Sequence, residues 1–306
     1  MSKSKTTSHW GAKAALAGLA AAGAVVAARR VGVGRRTAPT SVSLPRGRVV
    51  ITGASAGIGE EFARQLAAAG FDLTLVARRA ERLQALADEL SAAHGIRAEA
   101  WPADLADETD VAALANRLAA TGDLVLLVNN AGFGTRGEFV EVALERTLDM
   151  IRVHVLATVT LCRAAAPGMA ARGGGAIINV SSIAAFFPSA GGANYGATKA
   201  YLNAFSEALA AELRDSGVVV QALCPGFTTT EFHDVGDYQN FDRDQIPAPL
   251  WMPAREVVAE SLAALGGRRV IVVPGARYRA IVAAANSPLG NPIRQAARAV
   301  RARWRK

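Results

Sequence analysis

Between residues 48 and 275, short runs of Val, Ile, Leu and Ala alternate with longer stretches in which apolar residues recur every three or four positions. "RVVIT", "DLTLVA", "LVLLVNN", "AIINVSS", "VVVQALCP" and "RVIVVPG" have little polar alternation, so they read as strands covered on both faces. The stretches between them carry the helical period and supply that cover. A parallel sheet wound with helices follows, an α/β fold whose ligands gather at the carboxyl ends of the strands.

Outside that region the pattern breaks. Residues 14–28, "AALAGLAAAGAVVAA", are uncharged and flanked by Lys13 and by Arg29 with Arg30. As a helix fifteen residues rise about 22 Å, short of the roughly 30 Å of a hydrocarbon core, so the stretch reads as a membrane anchor, an export signal or an Ala-rich extension. If it spans, the six arginines of residues 29–48 outweigh the three lysines before it and place the rest in the cytoplasm. "VGVGRRTAPTSVSLPRG", residues 31–47, is a linker in composition. Three segments result: an apolar segment and basic linker over 1–46, a folded domain over 47–275 and a basic helical tail over 276–306.

Composition supports a globular reading, with 51% apolar and 20% charged residues in a 306-residue chain. The formal charge of +8 is concentrated at the ends: residues 1–48 hold nine Lys/Arg and residues 291–306 hold six, with no acid in either. The remainder carries 19 basic against 26 acidic residues, which speaks against a nucleic-acid partner for the domain and directs both tails toward an anionic membrane surface or toward solvent. Cys162 and Cys224 are too few for a disulfide framework and stand in no metal-binding spacing.

The chemistry starts after the first strand. In "TGASAGIG", residues 52–59, Gly53, Gly57 and Gly59 punctuate the passage into a helix. Glycine there permits positive φ and close backbone approach, and the helix start, with Ser55 and Ile58 beside it, offers N–H groups to a pyrophosphate. The second strand ends "LVARRAERL" with no carboxylate for an adenosine ribose; Arg78 and Arg79 stand there instead, with Ser55 as a lesser candidate, and favour a 2′-phosphate and therefore NADP(H) over NAD(H). Asp104 in "PADL", followed by Leu105, is placed either to accept from an adenine amino group or to cap the helix that begins near Asp107. "NNAG" ends the fourth strand at the same edge and brings Asn130, Ala131 and Gly132 to the ligand.

"SSIAAFFPSAGGANYGATKAYL", residues 181–202, contains the reactive trio. Tyr195 and Lys199 are four apart, hence on one face of a helix, and Ser182 ends the fifth strand. A free phenol titrates near 10, and a neighbouring ammonium favours its ionised form; lowering it by about three units takes about 4 kcal/mol. Tyr195 can then exchange a proton with an alkoxide while Ser182 orients the oxygen.

"TGASAGIG", "NNAG", Ser182, "YGATK" and "CPGFTTTEF", in this order and spacing, resemble the short-chain dehydrogenase/reductase family over about residues 47–275, and the ending "VVPG" is most similar to its NADP-dependent reductases. The resemblance implies a single Rossmann-type domain with a seven-stranded sheet, and an NADP(H)-dependent oxidoreductase acting on CH–OH and C=O groups. It implies Ser182, Tyr195 and Lys199 as catalytic, with Lys199 also on the nicotinamide ribose, and Pro225, Gly226, Thr228 and Thr230 around the nicotinamide amide. It further implies a homo-oligomer, a dimer or tetramer built through the long helices. One position departs: where the family commonly has an Asn that holds a water near the lysine, "DMIRVHVLATVTL" has His154, which either holds the same water or merely packs.

Phe186, Phe187 and Pro188 follow the serine, and Phe227, Phe232, Trp251 and Met252 flank a segment of about 25 residues that resembles the family's substrate lid. They point to an apolar, lipid-like, steroid-like or acyl carbonyl. "NPIRQAARAVRARWRK" ends the chain with a basic amphipathic pattern suited to a membrane surface, a partner subunit or solvent. The competing reading is a membrane-tethered scaffold or sensor that binds NADPH without turnover.

Overall fold

The computed structural model describes residues 44–135, 137–233, 242–267 and 269–287. The apolar segment 14–28, most of the linker, the centre of the lid and the last part of the basic tail lie outside the described residues.

The strands are β1 (Arg48–Thr52), β2 (Asp72–Ala77), β3 (Ala98–Pro102), which is partly exposed along its length and follows none of the apolar runs, β4 (Leu124–Asn129), β5 (Gly175–Val180), β6 (Val218–Leu223) and, after two short strands β7 (Thr228–Thr229) and β8 (Met252–Pro253), β9 (Ile271–Val272). The helices are α1 (Gly57–Ala68), α2 (Ala80–His94), α3 (Glu108–Ala120), α4 (Leu144–Ala171), α5 (Ala193–Glu212), α6 (Ala254–Ala264) and α7 (Ala276–Asn286). The seven-stranded sheet is ordered β3-β2-β1-β4-β5-β6-β9, and its neighbouring strands are parallel. Strand order reverses between β1 and β4, where a doubly wound sheet opens a crevice for ligand.

Alternation along each strand divides the core in two. Val49, Ile51, Leu73 and Leu75 pack beneath α1, α2 and α6 with Phe62, Leu66, Leu83, Leu90 and Val257. Val50, Val76, Leu124 and Leu127 face α3 and α4, meeting Leu114, Leu118, Leu161 and Met169. This two-sided cover explains why the strands carry so few polar residues. Helix α4 is the one helix among the described residues long and apolar enough to cross a bilayer, and its buried residues Leu161, Cys162, Ala165 and Met169 are spent on the sheet.

Helix α7 lies within the expected tail, yet it packs against the turn that follows β5 and buries Tyr278, Val282 and Ala285.

The β1–α1 turn fixes the geometry at the crevice. Gly53 and Gly57 adopt φ of 66° and 59°, a region that L side chains avoid. Gly59 serves close packing: a Cβ there would lie 2.2 Å from the Gly53 carbonyl oxygen and 2.5 Å from Asn130 Nδ2. Both neighbours are held in place, Asn130 Nδ2 donating to the carbonyls of Thr52 at 2.9 Å and Gly53 at 3.2 Å. Gly59→Ala is therefore expected to cost at least about 2 kcal/mol in chemical denaturation; a loss below about 0.5 kcal/mol would show that the turn yields.

Candidate functional site

A cavity of about 660 Å³ runs along the carboxyl ends of the strands. It is lined by Gly53, Ser55, Gly57 and Ile58 of the first turn, Arg78 and Arg79 after β2, Asp104 and Leu105 after β3, and Asn130, Ala131 and Gly132 after β4. Ser182, Tyr195 and Lys199 line it from the far side, and Pro225, Gly226, Thr228 and Thr230 close one flank. Of the residues expected to be catalytic or to hold the cofactor, Gly59 alone stands behind the surface, in the packing role just described.

At the glycine turn, Ala56 precedes α1 without a side-chain cap, so the first N–H groups of that helix are left for an anion. Thr230 crosses above: a Cβ on Gly57 would lie 3.1 Å from Thr230 Cβ. Beneath, Thr52 Oγ1 accepts from the N–H groups of Asn130 (2.9 Å) and Ala131 (3.0 Å), tying β1 to the end of β4. The Asn130 side chain serves the turn, and its residue meets the cavity with both amide donations already made.

The two arginines differ in their commitments. Arg79 donates through Nε (3.1 Å) and a terminal nitrogen (3.0 Å) to Ser55 Oγ, and pairs with Glu231 at 2.6 Å. Arg82 also reaches Glu231, at 3.0 Å, and the two cations hold its carboxyl below the usual range against the opposing effect of burial. Arg78 projects with a side chain 70% exposed, 3.8 Å from Asp104, and is the less committed of the two guanidinium groups. Glu231 was not foreseen from sequence; its acidic character in "TTTEF" carries no sign of a partner some 150 positions earlier. The capping alternative for Asp104 is corrected: the N-cap of α3 is Asp107, which accepts from the N–H groups of Thr109 and Asp110. Asp104 instead accepts from Ala106 N–H at 3.0 Å and keeps its place on the cavity.

Tyr195 and Lys199 sit in the first two turns of α5. Lys199 is 4% exposed, its Nζ donates to the Val180 carbonyl at 2.8 Å and lies 5.7 Å from the centroid of the Tyr195 ring. Burial lowers its pKa from 10.5 to about 8. Ser182 is in extended conformation, and its Oγ accepts from Ala184 N–H at 3.1 Å, which fixes the hydroxyl at the end of β5.

His154 lies in a π-helical turn, Arg152–Ala157, within α4 and is 1% exposed. Its Nε2 accepts from Phe133 N–H at 3.1 Å, which leaves the proton on Nδ1 to donate to Thr198 Oγ1 at 3.0 Å. Thr198 Oγ1 in turn donates to the Tyr195 carbonyl at 2.9 Å. Burial, then the Lys199 charge, holds the imidazole neutral by lowering its pKa well below 6.5. With one acceptor and one donor both committed to protein, the ring has no position left for a water, and the water-holding alternative is replaced by a brace between the end of β4 and α5. Gly132 is glycine for this reason: a Cβ would lie 2.8 Å from Nε2.

The apolar set is smaller than its sequence suggested. Phe227 and Phe232 line the cavity with Phe133, Val153, Val180 and Ile183, whereas Phe186, Phe187 and Pro188 do not. Trp251 meets Phe227 at a tilt of 52°, ring centroids 5.5 Å apart, and Met252 joins the core under α6.

The comparisons agree with this geometry. A family model described as short chain dehydrogenase matches residues 48–237. A very-long-chain 3-oxoacyl-CoA reductase of Anas platyrhynchos is 31% identical over 198 residues, 63% of this chain and 63% of the relative. A serine 3-dehydrogenase of Agrobacterium fabrum is 38% identical over 189 residues, 61% of this chain and 74% of the relative. The chain thus spans less than two thirds of the reductase's length, and 56% of its counterparts in two fungi. Among solved structures, a short-chain dehydrogenase from Sphingobium yanoikuyae in complex with NADPH has 38% identity and a TM-score of 0.71, covering 78% of this chain and 93% of that one.

The buried ammonium makes a prediction that needs no substrate. Since the folded pKa of Lys199 lies below its unfolded value, the charge costs stability below about pH 8, by roughly 3 kcal/mol, and the cost fades as pH rises toward 10.5. Cys162 and Cys224, each pushed up to about 12 by burial, act oppositely above pH 9, so the difference between variant and parent is the quantity to read. Lys199→Met is expected to unfold about 1 to 2 kcal/mol later at pH 7, after the lost Val180 bond is allowed for, with the gain disappearing above pH 10.5. A variant less stable than its parent at pH 7 would contradict the cost.

Proposed function

The chain belongs to the short-chain dehydrogenase family, and from that premise we propose that it is an NADP(H)-dependent oxidoreductase interconverting a carbonyl and a secondary alcohol. One observation carries the reading: Ser182, Tyr195 and Lys199 open on the same cavity as the glycine turn and Arg78.

The cavity fits the dinucleotide. The turn around Gly53, Ser55, Gly57 and Ile58, with positive φ at Gly53 and Gly57 and a helix start without a side-chain cap, suits the pyrophosphate. Arg78 takes the 2′-phosphate, Arg79 orients Ser55 toward it, and Asp104 with Leu105 borders the adenine. Asn130, Ala131 and Gly132 support the middle of the cofactor, and Pro225, Gly226, Thr228 and Thr230 border the nicotinamide amide. Bound there, NADPH supplies a hydride to the carbonyl carbon.

The protein's own groups manage the oxygen. Ser182 Oγ, fixed by Ala184 N–H, donates to the substrate oxygen and Tyr195 passes it a proton in reduction, or takes one in oxidation. Lys199 remains charged below about pH 8, stabilises the phenolate left behind and reaches the nicotinamide ribose. His154 keeps its neutral form, so no second cation opposes Lys199.

For substrate, Phe133, Val153, Ile183, Phe227 and Phe232 favour an apolar ketone or a 3-oxoacyl thioester over an amino acid or sugar. The 3-oxoacyl-CoA reductase relative fits that class, and the serine 3-dehydrogenase relative marks its rival. Residues 14–28 tether the domain to the cytoplasmic face of a membrane. Leu156 on α4 and Tyr201 on α5, 51% and 43% exposed, form the face through which two copies pair.

The test is NADPH against NADH oxidation with apolar ketones, 3-oxoacyl thioesters, serine-like substrates and sugars. NADPH with an apolar carbonyl is the expected pair; Tyr195→Phe loses at least about a thousandfold in kcat, and Arg78→Ala cuts the preference for NADPH by about tenfold or more. Preference for serine or sugars would overturn the substrate class, and NADPH oxidation unaffected by Tyr195→Phe would overturn the chemistry.

A further inference from the structure

Helix α7 begins after Gly275, beyond the residues matched by the family model, and its first turn reaches back to Phe227, which lines the cavity. Tyr278 is 4% exposed. Its hydroxyl accepts from Phe227 N–H at 2.9 Å and donates to the Leu250 carbonyl. One phenol therefore joins the residues that lead into β7 and β8, the two roots of the excursion between those short strands.

Other contacts bind the same roots. Met252 N–H donates to the Phe227 carbonyl at 2.9 Å, Thr228 and Thr229 pair with Met252 and Pro253, and Arg277 donates to the Pro249 carbonyl at 2.7 Å. The Tyr278 ring lies against Gly226 so closely that a Cβ there would fall 2.0 Å from its Cζ. The helix start is itself fixed, Gly275 N–H donating to both oxygens of Glu260, which also pairs with Arg279 at 2.7 Å.

What the clasp holds is a wall of the cavity. Gly226, Phe227, Thr228, Thr230 and Phe232 line it, and Phe227 faces it while backed by Trp251. We propose that Tyr278 is a positioning residue for substrate selection: its hydroxyl joins Phe227 to Leu250 and so sets where Phe227 meets a bulky carbonyl. It touches neither Tyr195 nor Lys199 in this role, so it acts on substrate fit and leaves the proton-transfer step alone. The inference rests on the oxidoreductase reading for its substrate, and on the hydrogen bonds alone for its effect on the wall.

Tyr278→Phe removes the hydroxyl and keeps the ring on Gly226. With NADPH and two probes, a diaryl diketone and acetone, the variant is expected to raise KM for the diketone about tenfold, as fits the loss of a buried bridging hydroxyl. For acetone the KM change should stay within about twofold, and kcat and its pH profile should match the parent's for both. Deuterium exchange, read without substrate, is expected to speed up at the Phe227 amide and through residues 242–252. Arg277→Ala, which cuts only the Pro249 bond, should move both readouts the same way and less. An unchanged diketone KM, or equal losses of kcat on both probes, would overturn the positioning role and leave Tyr278 as packing. Should the parent turn over neither probe, the choice of an apolar ketone substrate fails by itself, and unchanged exchange at Phe227 would then overturn the clasp.

Discussion

Burying an ammonium costs several kcal/mol unless neighbouring dipoles repay it, and Lys199 is buried with its Nζ on the Val180 carbonyl. That bond joins the end of β5 to α5, the two elements that deliver Ser182 and Tyr195 to the cavity. A surface lysine four residues from a tyrosine would do little, because water screens it. Here the low-dielectric setting makes the charge effective over the distance to the Tyr195 ring. The same setting depresses the lysine's own pKa, so the site is built on a group whose charge is strained at neutral pH. Folding therefore carries a cost that function explains.

The surrounding structure keeps that charge in register with the cofactor crevice. His154 links Phe133, just past the fourth strand, to Thr198 and through it to the backbone of Tyr195. Thr52 links the first strand to Asn130 and Ala131, and Asn130 returns the tie to the glycine turn. Beside the glycine turn Glu231 crosses from the segment after β6 to Arg79 and Arg82, which sets Ser55 and leaves the Arg78 side chain exposed. Cofactor recognition and the reactive trio are thus joined by side-chain ties as well as by the sheet.

Much of this was legible in the chain because the relevant signals are local. Strands buried on both faces announce themselves as uninterrupted apolar runs, and glycines at a strand-to-helix turn announce a tight turn with positive φ at Gly53 and Gly57. The four-residue step from Tyr195 to Lys199 gives their common face without any tertiary information. What stayed hidden depends on pairs far apart in sequence. Nothing local reveals that Glu231 meets Arg79, that Tyr278 bridges Phe227 and Leu250, or that both nitrogens of His154 are taken. Asp104 and Asp107 are equally good caps by residue type, and only the backbone at the start of α3 separates them. Met252 and Trp251 counted as pocket residues for their apolarity, although one fills the core and the other backs Phe227.

The central claim is that this cavity passes a hydride to a carbonyl while Tyr195 passes the proton. The most direct measurement is transfer of deuterium from NADPH labelled at C4 of its nicotinamide to an apolar ketone, read by mass spectrometry of the alcohol. The account predicts one deuterium on the carbinol carbon, from one face of the labelled ring only, and its loss when Tyr195 is replaced by Phe. Label that never reaches the carbinol carbon while NADPH is consumed, or that arrives equally well without the Tyr195 hydroxyl, would contradict it.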